Sequence, residues 1–209
     1  VSGHADDMEV LGRAAEWLRG GHRVALATVI RTWGSSPRPP GSLLAMNDAG
    51  HFVGSVSGGC VEETLVERYR NGEIAGPGPT LLDFGVDRQE ASRLGLPCGG
   101  RLELLLEELR GAEVVEALLA ALQQEELVAR SVELDSGSVD LSPGTAGKEL
   151  TISAHRVTRT FGPAWQLLLI GDGQLARHLA SMALHLDYRV TICDPREQFA
   201  AAGPVADVR

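Results

Sequence analysis

The stretch WQLLLIGDGQLARHLASMALHLDYRVTICD, Trp165 to Asp194, decides the fold class. Trp165 to Ile170 is a continuous apolar run of strand length and reads as a buried strand. Gly171, Gly173 and Ala176 follow as G-x-G-x-x-A and open a helix that ends near Asp187. Arg189 to Cys193 is a second strand, ending at Asp194. Strand, helix, strand implies two parallel strands joined by a right-handed crossover. The motif has the context a dinucleotide fingerprint needs: a strand before it, a helix after it, and an acidic residue about 20 positions on. Gly171 permits the tight turn, and Gly173 lets the backbone approach a pyrophosphate at the helix N-terminus. Ala176 keeps the helix close to the strand, and Asp194 is placed to accept hydrogen bonds from ribose hydroxyls. Asp172, between the glycines, weighs against phosphate by charge repulsion. These four residues make a nucleotide site whose cofactor would be NAD(P).

The expected fold class is therefore α/β, with a mixed N-terminal domain over residues 1–160 and a Rossmann-like β-α-β segment over 164–209. Phe161-Gly162-Pro163 reads as the linker. Two strands cannot bury both faces of their crossover, so the segment is expected to be incomplete at its C-terminus, with further chain or a partner supplying the rest.

Upstream, Asp6 to Arg19 is amphipathic and helical, stopped by Gly20-Gly21. Val24 to Ile30 is a buried strand. Thr32 to Gly41, TWGSSPRPPG, holds three prolines and two glycines in ten residues and is a shaped loop. Leu43 to Met46 and His51 to Gly54 flank a turn and form a hairpin. A helix over Val61 to Tyr69, a strand over Leu81 to Phe84 and a short helix over Asp87 to Arg93 follow. The alternation at Leu102, Leu104 and Leu106 marks a strand, and Glu113 to Leu122 a helix. Val128 to Leu134 and Glu149 to Val157 are strands joined by a Gly/Ser/Pro-rich loop.

Composition narrows the class. The 209 residues carry a net charge of −9, with 44% hydrophobic and 22% charged residues. That is ordinary for a folded globular chain, and the acidic balance argues against nucleic acid and against an anionic membrane surface. Three cysteines, Cys60, Cys98 and Cys193, lie far apart with no C-x-x-C pair, which fits a reducing compartment better than a disulfide framework or a structural zinc site. No signal peptide or membrane span is evident, so the expected location is cytoplasmic.

Two further motifs carry chemistry. In GSVSGGC, Gly54 to Cys60, the Ser57-Gly58-Gly59 turn stands at a helix start and reads as an anion nest of backbone N–H groups, with Ser57 a good N-cap. A cysteine at that position would have a lowered pKa. In PCGG, Pro97 to Gly100, Cys98 is followed by Gly99 and Gly100, so a ligand can approach the sulfur closely. Arg38, in the proline-rich loop, is the cation best placed to meet an anion. Plain structural roles compete in each case: a cap, a turn, a solvated arginine. His178 and His185 lie seven apart on one helix without a third ligand, and read as solvated.

ATVIRTWGSSPRPPGSLLAM, then VGSVSGGCVEE, then LPCGG, then the β-α-β unit ending in Asp194-Pro195-Arg196, resembles the XdhC/CoxI family over nearly the whole chain. The resemblance implies a chaperone rather than an enzyme. It would bind molybdenum cofactor (molybdopterin or its dinucleotide form), protect it during sulfuration, and insert it into an apo molybdenum hydroxylase of the xanthine, aldehyde or CO dehydrogenase type. A cysteine desulfurase is an implied partner and a homodimer the implied assembly. Cys60, Cys98, Arg38, Ser57, Gly58, Gly59, Gly99 and Gly100 match the family's motifs as cofactor-binding candidates; either cysteine could hold molybdenum or sulfur, with Cys98 the candidate molybdenum contact. Two other classes compete: an NAD-dependent oxidoreductase using Gly171, Gly173 and Ala176, and a thiol hydrolase or transferase using Cys98 or Cys60.

Overall fold

Val24 to Ile30 lies at the centre of the N-terminal layers. The computed structural model describes residues 4–34, 38–59, 61–74, 76, 78–85, 101–162, 165–186 and 188–196. In it this run opens a ten-residue strand, β1 (Val24–Trp33), whose first seven residues are all buried. β-Branched and apolar residues without alternation suit a strand covered on both faces. The loop expected from Thr32 therefore starts later, because Thr32 and Trp33 still pair with Leu102 and Arg101.

β1 is the middle of a five-stranded antiparallel sheet. It pairs on one side with β2 (Leu43–Asn47), which pairs with β3 (Phe52–Gly54), and on the other with β5 (Arg101–Glu108), which pairs with β4 (Thr80–Phe84). The hairpin turn is held by the Asn47 carboxamide, which accepts from the N–H groups of Ala49 and His51. α2 (Glu62–Arg70) covers one face, bringing Leu65, Val66 and Tyr69 onto Ala25, Ala27, Val29, Leu44 and Leu104. α1 (His4–Arg19) and α3 (Glu113–Gln123) cover the other, with Val10, Leu11, Ala14, Leu118 and Leu122 against Val24, Leu26 and Leu43. The alternation in β5 does not leave a solvated face: Leu105 packs with a second sheet, and Glu107 is buried in an ion pair.

That second sheet corrects the expected pair of strands joined by a long loop. It has four antiparallel strands in the order β7 (Val139–Pro143), β6 (Val128–Glu133), β9 (Arg156–Phe161), β8 (Leu150–Ile152). The Gly/Ser/Pro-rich segment hides β7, which folds back on β6 through Gly137 at φ +68°. Glu149 to Val157 is a hairpin turning at Ser153, where both the backbone N–H and the Oγ of Ser153 donate to the Arg156 carbonyl. Phe161 ends β9 and is buried with α1 and α3, so the expected linker begins inside the core.

Two buried ion pairs join the layers. Arg130 on β6 grips Glu107 on β5 with bonds of 2.7 and 2.9 Å. Arg159 on β9 donates to both carboxylate oxygens of Asp7 on α1 at 2.7 and 2.6 Å, with its guanidinium 4.1 Å over the Phe161 ring. Such pairs contribute little net stability, but losing one partner strands a buried charge.

The C-terminal unit is as expected in topology: β10 (Trp165–Ile170) and β11 (Tyr188–Cys193) pair in parallel, Trp165 with Tyr188 through Ile170 with Cys193, around α4 (Gln174–Leu184). The helix stops three residues before Asp187, and the strand is not buried on both faces. α4 covers Leu167, Leu169, Val190 and Ile192, while Leu168 and Ile170 on the opposite face are 61% and 82% exposed. Among the described residues no helix is long and apolar enough to cross a membrane.

Candidate functional site

The GSVSGGC segment leaves β3 through Gly54, at φ +89°. A Cβ there would stand 2.3 Å from the Leu43 carbonyl oxygen and 2.7 Å from the Val10 side chain, so only glycine fits. Ser55 is the hub that follows. Its N–H donates to the Leu43 carbonyl at 2.9 Å, its hydroxyl donates to Glu62 Oε1 at 2.7 Å and accepts from the Gly58 N–H at 3.0 Å. Its carbonyl accepts from Arg38 Nε at 3.2 Å. Arg38 and the serine–glycine turn, far apart in kind of loop, are thereby brought onto one residue.

The turn is a nest, but its anion belongs to the chain. The N–H groups of Val56 and Ser57 donate to Glu62 Oε1, each at 2.9 Å, and those of Gly59 and Val61 to Oε2, each at 3.1 Å. The Ser57 hydroxyl completes the set with a short bond to Oε2 and accepts from the Val61 N–H at 2.8 Å. Burial alone would raise the Glu62 pKa. The hydrogen bonds from Ser57, Ser55 and the backbone outweigh it and bring the carboxyl down to about 2. Ser57, expected to cap α2, bonds one residue before the helix instead, and the N-cap position is Val61. The open phosphate nest expected at Ser57, Gly58 and Gly59 is thus already filled, while Gly58 and Gly59 themselves are solvent-exposed.

Beside this turn lies a cavity of about 200 Å³ lined by Asp6, Asp7, Glu9, Arg38, Gly54 and Ser55. Arg38 is 28% exposed there and reaches Asp6 at 3.3 Å. An incoming anion would therefore compete with carboxylates for Arg38. Adjacent residues of α1 divide the work, Asp6 meeting Arg38 and Asp7 meeting Arg159, and burial pushes the Arg159 guanidinium below its usual pKa while Asp7 opposes that shift. Cys60, Cys98, Gly99 and Gly100 lie outside the described residues. Among the described residues no group of three or more His, Cys, Asp or Glu side chains could hold a metal ion.

At the second motif, Gly171 takes φ +105° and donates its N–H to the Cys193 carbonyl, and Gly173 caps α4 in an ordinary extended conformation at φ −87°. A Cβ at either would meet nothing within 4 Å. The polar groups are otherwise engaged. The Asp172 N–H donates to Asp194 Oδ2 at 2.7 Å, and Arg196 holds the same carboxylate through its N–H and guanidinium. These bonds keep the Asp194 carboxyl well below the usual range. Asp172 itself pairs with Arg177 at 2.6 Å. Ala176 is partly exposed; the close helix–strand contact falls one turn later, on Ala180 and Ala183.

Residue type and spacing singled out Arg38 and the glycines but not Glu62, Ser55, Asp6, Asp7 or Arg159. A signal for Glu62 exists: an acidic residue in the first helical turn after a glycine-rich loop is placed to collect unpaired N–H groups.

Comparison with known proteins agrees with this architecture. A solved structure described as a xanthine dehydrogenase from Bacillus halodurans superposes with a TM-score of 0.64 over 92% of this chain and 63% of that one, at 20% identity. That likeness concerns the fold. The molybdenum cofactor insertion chaperone PaoD of Escherichia coli (strain K12) is 29% identical over 192 residues, which is 90% of this chain and 58% of that protein. The chain thus spans less than two thirds of the length of these relatives. Residues 17–85 match the model described as the XdhC and CoxI family, a stretch that carries the proline-rich loop, Gly54 and the Glu62 nest.

Proposed function

We propose that the chain acts in molybdenum hydroxylase maturation, binding molybdenum cofactor, shielding it during sulfuration and passing it to the apo-enzyme. The observation that carries this is the 29% identity to a molybdenum cofactor insertion chaperone across 90% of the chain. The cargo is an anionic pterin with a soft, sulfur-bound metal. It calls for a cation, a closely approachable backbone and a thiolate. Arg38 at the cavity edge supplies the first and exposed Gly58 and Gly59 the second. Cys60, next in sequence, and Cys98 with its two glycines supply the third. Phosphate is not assigned to the Ser57–Gly59 N–H groups, which serve Glu62 and Ser55. We further propose residues 1–160 as the cargo-binding domain, residues 164–209 as the start of a nucleotide-binding-type domain, a cytoplasmic homodimer, a client of the xanthine, aldehyde or CO dehydrogenase type, and a cysteine desulfurase as sulfur donor.

The test is purification after co-expression with cofactor biosynthesis, with molybdenum measured by mass spectrometry and pterin by fluorescence after oxidation. We expect both to co-purify with the wild type, and Cys98→Ser to lose them while its melting temperature holds, because oxygen is a harder ligand than a thiolate. A wild-type protein carrying neither molybdenum nor pterin would overturn the proposal. Equal loading by Cys98→Ser would move the contact to Cys60.

A further inference from the structure

Six hydrogen bonds from five residues end on the Glu62 carboxylate. All six donors are neutral, and the residue is 2% exposed. A helix start does not need this. One serine or aspartate at the N-cap satisfies its N–H groups without burying a charge. What the arrangement does accomplish is to set a loop. Gly54, Gly58 and Gly59 all take left-handed backbone angles, at φ +89°, +81° and +110°, a combination that costs order and needs an internal template. The template also reaches the proline-rich loop, since Ser55 bonds Glu62 through its hydroxyl and Arg38 through its carbonyl.

We propose that Glu62 is the positioning residue of the cargo site: an internal anion that casts the Ser55–Gly59 turn in one shape and fixes Arg38 relative to it. This rests on the function proposed above. Glu62 does not touch the cargo. It faces inward, drawing the turn's N–H groups away from the surface, so that the turn presents bare glycine backbone rather than a phosphate nest. Recognition at this turn then depends on shape and on the neighbouring thiol.

Glu62→Gln is the direct test, because it keeps size, removes the charge and turns one of the two acceptor oxygens, each of which serves three donors, into an N–H2 donor. Ser55→Ala is the milder companion, cutting one bond to Glu62 and the acceptor for Gly58 while leaving the charge. Cys60, next in sequence to Gly59, and Cys193, at the end of β11, serve as reporters, each followed by the rate of iodoacetamide alkylation at its own peptide. We expect Glu62→Gln to speed alkylation of Cys60 about tenfold as the turn opens locally, with Cys193 unchanged. Ser55→Ala should give a smaller change in the same direction, and both variants should retain less cofactor. Equal acceleration at both cysteines in both variants would mean loss of global stability only. No change at Cys60 would mean that the turn keeps its shape without the anion. Either result overturns the proposal. The alkylation arm does not depend on the cargo: a wild type without molybdenum or pterin fails the functional proposal while Cys60 still reports on Glu62.

Discussion

Two glycine-rich turns open helices in this molecule, residues 54–62 before α2 and residues 171–177 before α4, and they are built to opposite ends. In the first, Gly54 is packed so tightly that a methyl group has no room, and a buried carboxylate takes six neutral donors. In the second, both glycines face open space, and the carboxylates of Asp172 and Asp194 pair with Arg177 and Arg196. The same local pattern, glycines at a helix start, thus gives a tightly packed internal structure in one place and an open turn held by surface ion pairs in the other. Position in the fold makes the difference. The first turn is anchored against α1 at Gly54 and Val10 and closes over the first residue of α2, while the second belongs to a unit with one helix.

That contrast can be broken at its strongest point first. Glu62→Ala should lower unfolding free energy by about 3 kcal/mol or more, since several buried N–H groups lose their acceptor; urea unfolding followed by circular dichroism checks it, and a loss below about 1 kcal/mol would make the first turn no more finished than the second. The same carboxylate sets a pH signature. Its folded pKa of about 2 lies below the ordinary 4.5, so its contribution is full above 4.5 and fades as pH falls toward 2. The melting-temperature gap between wild type and Glu62→Gln should hold from pH 5 to 8 and close below that window.

Gly54→Ala comes next, at about 2–3 kcal/mol, because a strained φ and a steric overlap with backbone act together. Gly171→Ala should cost less, about 1 kcal/mol, with the positive φ as its only penalty; fluorescence of Trp165 in a Trp17→Phe, Trp33→Phe background reports that unit alone. Gly173→Ala should stay within about 0.5 kcal/mol. Even the bulkier Gly173→Val does not strain the turn, for φ there is ordinary; its effect would be on ligand approach only. If Gly173→Ala and Gly54→Ala proved equally damaging, the distinction between the turns would fall.

The sequence made these elements unevenly legible. α1, the β2–β3 hairpin, α3 and the β-α-β unit read out well because each is specified by local signals: periodicity, a turn over Asn47 to Gly50, glycines at helix ends. β7 and the β8–β9 hairpin did not, because short strands in a Gly/Ser/Pro-rich stretch are settled by pairing partners distant in the chain, such as Val132 with Val139 and Val128 with Phe161. The candidate site divided the same way. Arg38 and the glycines announced themselves by type. Glu62 looked like any acidic residue in a first helical turn, and its importance arises only when the turn folds back over it. Asp7 and Arg159, 152 residues apart in sequence, carried no local mark at all.

The pairing of β1 with β5 has a consequence for how the protein comes into being on the ribosome. β1, β2 and β3 emerge together, but one edge of β1 has no neighbour until Arg101–Glu108 is translated. At 5–20 residues per second that is a delay on the order of ten seconds, during which a long apolar strand stays open to any other nascent chain. The later part of the chain must then thread its contacts onto a half-built sheet, a high-contact-order step and a slow one. Yield in cells should improve when chaperones that shield unpaired strand edges are supplied.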